Sequence, residues 1–250
     1  NRPYIPIGVP KNDSGVYRDN SSFLDSVAME FPHRLRSNME APDAVALYRK
    51  ILSEQKDSSI VILTVGYMSN LQSLLKSLPD SSSSLSGMDL VRKKVKLWVC
   101  MGGNFPVDDA SDNVNFTRDP DAAVYTLTHW PGKILFAGRE IGHTIFVGDR
   151  LKETPLNNPV RRAYQLHRAR AKNGHWNHHT ADPTAVLLAV RGISNYWTLS
   201  DYGYVDIKKN CSFVWKGHSE GYQQYIIQKM DRKELGEILE ELMIMSPNKH

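Results

Sequence analysis

Only two cysteines, Cys100 and Cys211, occur in the 250 residues. One falls in a segment that reads as a buried strand, the other in a late hairpin. No disulfide framework is expected, and the compartment stays open. No apolar run approaches the roughly 20 residues that cross a bilayer, so no membrane partner is expected. The net charge is only +4 and is evenly spread, which calls for no polyanionic partner such as nucleic acid. The basic stretch 158–172 holds a single aromatic, Tyr164, and reads as a solvated helix face. GxGxxG, GxSxG and phosphate-loop spacings are absent, as is any repeat period. His175, His178 and His179 cluster near Trp176, but no cysteine or carboxylate is spaced to complete a tetrahedral zinc set.

What is present is ordinary globular composition, 41% hydrophobic and 23% charged, in a length that suits a single α/β domain over 1–250. The start, Asn1-Arg-Pro-Tyr-Ile-Pro-Ile-Gly-Val, carries no initiator Met and no signal peptide, and is strand-like at once. It reads as the middle of a domain, so an N-terminal strand and helix are expected upstream.

The chain is organised around 94–123. Val95–Met101 reads as a buried strand, Gly102-Gly103 breaks it, and a polar loop leads to a helix opening at Asp119-Pro120. Open α/β sheets place ligands outside the carboxyl ends of their strands, which is where this loop would lie. Its Asn104, Asp108, Asp109, Asp112, Asn113 and Asn115 form an oxygen-rich set suited to sugar hydroxyls or a hard cation, and equally to a solvated turn.

Around this unit, Tyr4–Val9 predicts a strand at an edge because of Pro6. Phe23–Phe31 and Pro42–Gln55 predict helices, the second with Pro42 in its first turn. Ile60–Val65 is apolar on both faces, as a central parallel strand requires. Ser69 is placed to cap a helix carrying Leu71, Leu74, Leu75 and Leu78. A Ser-rich, flexible linker spans 80–87, and Met88–Lys94 reads as helix. Helices are further expected over 119–130, 158–172, 183–191 and 233–245, a strand over 133–137 and a hairpin over 202–215. Strands alternating with helices predict an open, mainly parallel sheet flanked by helices. Asp182 precedes Pro183 and reads first as a helix N-cap and second as a fixed carboxylate for a metal. Glu140, between Gly138 and Gly142, is a candidate substrate-side carboxylate. Cys100 reads as a core thiol.

Several stretches in order carry a family resemblance. Val65-Gly-Tyr-Met-Ser-Asn-Leu is similar to G-P-x-T-N-L, and 85–103 to a linker, helix and M-G-G strand. Asn113-Val-Asn-Phe-Thr-Arg-Asp-Pro-Asp-Ala-Ala matches E-F-N-x-x-x-D-P-x-A-A, and 130–151 follows a strand and G-x-E-I-G. Ala181-Asp-Pro-Thr-Ala-Val-Leu looks like D-x-T-A-V-L. Together they resemble the inosine–uridine-preferring nucleoside hydrolases, closest to a bacterial nucleoside hydrolase-like branch.

The resemblance implies a nucleoside hydrolase-like α/β fold and hydrolysis of a ribonucleoside, or a related N-riboside, to base and ribose by a calcium-activated water. It implies calcium ligation by Asp182 and Ser69, and sugar contacts from Asn115, Asn113, Asn104 and Met101. A small ribonucleoside or ribose would be the ligand, in a homo-oligomer (dimer or tetramer) serving purine or pyrimidine salvage. Four departures stand out. The family's D-x-D-x-x-x-D-D segment, source of most calcium carboxylates and of the general-base Asp, is expected upstream of Asn1. Its ribose-binding Glu is Asn113 here, its Thr is Ser69, and Ala181 stands where some members carry an acid His. Impaired hydrolysis is therefore expected, with a non-catalytic sugar- or nucleoside-binding protein as the alternative.

Overall fold

The computed structural model of the chain describes residues 4–11, 22–170 and 174–246. Ten helices and ten strands occur among them. Helix α1 (Ser22–Glu30) and α2 (Ala44–Glu54) precede β1 (Ile60–Thr64), followed by α3 (Ser69–Lys76), α4 (Gly87–Lys94) and β2 (Val95–Met101). The polar loop contains β3 (Val107–Asp108) and α5 (Val114–Thr117), then come α6 (Pro120–His129) and β4 (Ile134–Ala137). After α7 (Arg139–Gly142) come β5 (Phe146–Val147), a 3₁₀ turn (Asp149–Glu153), α8 (Pro159–Arg170), β6 (His178–His179) and α9 (Ala181–Arg191). Four strands, β7 (Trp197–Leu199), β8 (Gly203–Ile207), β9 (Phe213–Gly217) and β10 (Gln223–Gln228), lead to the last helix, α10 (Arg232–Ile244).

The main sheet has eight strands, ordered β1-β2-β4-β10-β8-β9-β3, with β7 also on β10. Pairings β1–β2, β2–β4 and β4–β10 are parallel, whereas β8, β9, β3 and β7 extend the sheet antiparallel. The sheet is mixed, with a parallel centre flanked by helices. Successive side chains of β2 serve opposite faces, as strand geometry requires. Trp98 and Cys100 join a core with Leu71, Leu74 and Phe136, while Val99 and Met101 join one with Leu135, Leu187 and Leu188. The Trp98 indole N–H donates to Thr64 Oγ1 at 2.9 Å, tying the strands from within the core.

Several expectations need correction. Tyr4–Val9 forms no strand, only an isolated bridge from Val9 to Asp43, because Pro6 and Pro10 remove ladder donors. Helix α2 is capped by Asp43, whose side chain accepts from Ala46 N, so Pro42 lies outside its first turn. Strand β1 is not central: it ends the sheet among the described residues. Met68, not Ser69, occupies the N-cap of α3, and no side chain caps it.

The serine-rich linker is anchored rather than loose. Arg49, 2% exposed, reaches Asp80 at 2.8 Å, Ser77 Oγ at 2.9 Å and the carbonyls of Ser83 and Leu85 at 3.0 and 2.9 Å. Asp182 is not the cap of α9 either. Thr180 holds that position, and Asp182 lies in the first turn. The expected helices 119–130, 158–172 and 233–245 and the hairpin 202–215 are present as α6, α8, α10 and β8–β9. Residues 171–172 of the expected basic helix lie outside the described residues.

Candidate active site

A cavity of about 300 Å³ opens beyond the carboxyl ends of β2 and β4, the position that parallel sheets reserve for ligands. Met101 and Gly102 end β2 and form its floor. Asp112, Asn113 and Asn115 come from the loop and α5. Arg139 opens α7 and His143 caps its end, and His179 and Asp182 come from the entry to α9.

Backbone geometry at the break allows this approach. Gly103 has φ +81°, and a Cβ there would stand 2.8 Å from the Phe213 ring. A Cβ on Gly102 would stand 2.5 Å from the ring of Phe116. Phe116, fully buried, anchors α5 beneath the strand end and sets Asn115 beside it. The Asn115 side-chain amide donates to the carbonyl oxygen and to the sulfur of Met101, each at 3.0 Å. That fixes the amide and leaves Oδ1 as its acceptor for a ligand.

Asn113 is committed differently. Its Oδ1 accepts from Gly103 N at 3.3 Å and its Nδ2 donates to Asp108 Oδ2 at 3.0 Å. Asn113 is 2% exposed, so it braces the wall it belongs to. Arg139 Nη2 pairs with Asp112 Oδ2 at 2.8 Å across the cavity rim, and the Arg139 amide donates to Gly103 O at 2.9 Å.

The histidines form a run of rings. Centroids lie 4.1 Å apart for His143–His179, 4.1 Å for His178–His179 and 4.5 Å for His167–His178. Burial, then the neighbouring His178, pushes the His179 imidazole down to about 4. Burial first and Arg139 second lower His143 as well. At neutral pH His143 and His179 are therefore neutral imidazoles that hydrogen-bond without adding charge. Burial raises the Asp182 carboxyl above its ordinary range.

Of the residues singled out in the sequence, Asn115, Asn113, Met101 and Asp182 line one cavity. Three others are not among its lining residues. The Ser69 hydroxyl donates to Asp119 Oδ2, tying α3 to the cap of α6. Asn104 Nδ2 donates to Val107 O at 3.4 Å within the loop. Glu140 accepts from Phe105 N at 3.1 Å, and burial pushes its carboxyl up to about 7. Asp112, named in the sequence as part of the oxygen-rich loop, also lines the cavity, whereas Arg139 and His143 are cavity residues that the sequence reading missed. The signal for Arg139 was its place directly after the carboxyl end of a buried strand.

Calcium takes six to eight oxygens. Asp112 is engaged by Arg139, Ser69 faces Asp119, and Asp182 is the remaining cavity carboxylate. Among the described residues no group of three or more His, Cys, Asp or Glu is arranged to hold a metal ion. That donor set does not fit calcium.

The sequence model of a family described as inosine-uridine preferring nucleoside hydrolase matches residues 11–236. No curated protein matches the chain by sequence. A plant nucleoside hydrolase structure aligns with TM-score 0.65 at 16% identity, covering 92% of this chain and 76% of its own. A purine-preferring ribonucleoside hydrolase from Gardnerella vaginalis aligns with TM-score 0.63 at 14% identity, covering 85% and 68%. For an inosine-uridine preferring nucleoside hydrolase from Bacillus anthracis the values are 0.56, 11%, 85% and 67%. At these identities the structures speak for the fold.

Proposed function

Because the chain belongs to the inosine-uridine preferring nucleoside hydrolase family, we propose that its cavity binds the sugar of a ribonucleoside, or a related N-riboside, for cleavage to base and ribose. Family and fold support hydrolase-type function. The observation that carries the finer reading is that Asn115 and Asp182, distant in sequence, line one cavity beyond the strand ends.

The chemistry asks for such a wall. Cleavage of an N-glycosidic bond passes through an oxocarbenium-like state, so the sugar must be held rigidly while positive charge develops on the ring. Asn115 Oδ1 and the Asp182 carboxylate accept from ring hydroxyls, and an ionised Asp182 opposes the developing charge. Arg139 is held in place by Asp112 and donates from the rim. The neutral imidazoles of His143 and His179 add donors and acceptors without positive charge, which would disfavour that state. These residues bind, orient and polarise, and no step is routed through calcium because the described donors do not fit it.

Release of free base from inosine and from uridine, followed by chromatography, tests the reaction. Base released by the wild type and lost in Asp182→Ala supports the reading. Equal release by wild type and variant contradicts it. Self-association as a dimer or tetramer belongs to the same proposal, and sedimentation velocity reads it directly.

A further inference from the structure

One wall of the cavity carries more positive character than a neutral sugar needs. Arg139, His143 and His179 meet there, supplied by α7, its C-terminal cap and β6. The two imidazole centroids lie 4.1 Å apart, and the Arg139 charge acts on both rings.

Arg139 is only partly used. Its Nη2 holds Asp112 Oδ2 at 2.8 Å, while its Nε is buried and has no partner among the described residues. An orphaned buried donor is costly, so a ligand that brings an acceptor to it gains what the protein alone forgoes. Nε and Nη2 lie on the same side of a guanidinium and grip a two-oxygen partner as a fork. Elsewhere in the chain Arg162 does so, holding Glu30 through Nε and Nη2 at 2.6 Å each. Asp112 takes one prong only. Its side chain is 70% exposed, and an ion pair so open to solvent is weak and readily exchanged for water.

We propose that Arg139, His143 and His179 form an anion pocket within the cavity, and that the riboside it selects carries a phosphate monoester on its 5-hydroxyl. That position leaves the glycosidic carbon free for cleavage. The inference rests on the cavity being a sugar site and narrows its substrate class to phosphorylated N-ribosides.

A phosphate brings three acceptor oxygens, enough for the Arg139 fork and one imidazole together. Its charge also changes the rings. Burial keeps both neutral in the free cavity, and an adjacent anion favours their protonated forms. The groups facing them are His178 on β6, His167 on α8, Arg139 on α7 and Asp112 in the loop. Asp182 opposes a phosphate as a lining carboxyl, but burial raises it and so eases its protonation. A cavity of about 300 Å³ stands at the small end of ligand sites, in keeping with a pentose and one further small group.

The test is calorimetry at pH 7 with D-ribose, D-ribose 5-phosphate and inorganic phosphate, on wild type, Arg139→Lys and Arg139→Ala. Wild type should bind ribose 5-phosphate at least about tenfold more tightly than either ribose or inorganic phosphate. The ratio of the two sugar affinities should fall toward one in Arg139→Ala, whatever that change does to ribose itself. It should be intermediate in Arg139→Lys, which keeps the charge and loses the fork. NMR titration of the wild-type imidazoles gives a readout that needs no variant. Saturating ribose 5-phosphate should raise the midpoints of His143 and His179, and ribose should leave them in place. Equal affinity for ribose and ribose 5-phosphate, a ratio unchanged in Arg139→Ala, or unmoved midpoints would overturn the anion pocket and leave the sugar reading standing. Inorganic phosphate binding as tightly as ribose 5-phosphate would overturn the assignment to a riboside. Neither sugar binding at all would overturn the sugar reading and this inference with it.

Discussion

The Asn115 side-chain amide bridges the carbonyl oxygen and the sulfur of Met101, each at 3.0 Å, across the gap between α5 and the end of β2. One short helix is thereby fastened to the strand that forms the cavity floor, and Asn115 Oδ1 is pre-set for a ligand hydroxyl. Pre-setting lowers the ordering cost of binding, which is where a small polar ligand gains most.

Asn115→Ala removes both the bridge and the acceptor. Loss of one satisfied polar contact is worth roughly 1–1.5 kcal/mol, so inosine or ribose affinity should fall about tenfold. Calorimetry measures it, and unchanged affinity would remove Asn115 from the site.

Gly103→Ala forces a Cβ into the left-handed region at φ +81° and into the Phe213 ring at 2.8 Å. A destabilisation of about 2 kcal/mol is expected, seen as a lower urea midpoint. A midpoint within error of wild type would mean that this turn has another available conformation.

Arg49→Ala strips the buried donor from Asp80, Ser77 and two carbonyls of the linker. Asp80 is exposed and rehydrates, so the cost falls on the Ser77 hydroxyl and the two linker carbonyls and is roughly 1–3 kcal/mol. Thermal unfolding should report it, with proteolytic nicking near 80–87 appearing at the same time. A variant as stable and as resistant to nicking as wild type would contradict the anchoring role.

His179 has a folded pKa of about 4 against an ordinary 6.5. The unfolded chain then binds the proton first, so the folded state loses stability as pH falls through this window. His179→Gln removes that penalty. Its Tm should gain on the wild type progressively from pH 6.5 down to 4. Parallel Tm profiles would show that the ring run does not hold His179 neutral.

How much of this was legible in the sequence follows from where each signal resides. Strand β2, its glycine break and the Asp119-Pro120 start of α6 are written locally, in an apolar run and a capping pattern, and they stand as read. Strand β10, Gln223–Gln228, was missed because its polar pattern hides a position beside β4 that only the sheet supplies. Helix α5 was hidden in the loop for a similar reason, since it is held by Phe116 packing in the core. The edge position of β1 depends on which strands pair with it, which its own letters do not state.

The candidate site divides the same way. Asn115 and Asp182 were named by resemblance, and the cavity brings both together. As a helix cap Ser69 was misjudged, because Met68 holds that position and the Ser69 hydroxyl turns to Asp119, 50 residues away. Arg139 went unnoticed because its use depends on meeting Asp112 across the rim.

The most direct test of the account is calorimetric titration of inosine into the wild-type chain, Asp182→Ala and Ser69→Ala at pH 6.5. The account predicts saturable binding by the wild type, binding weakened at least about tenfold in Asp182→Ala, and near wild-type binding in Ser69→Ala, whose hydroxyl faces Asp119 rather than the cavity. Binding that survives in Asp182→Ala, or is lost in Ser69→Ala alone, would contradict it.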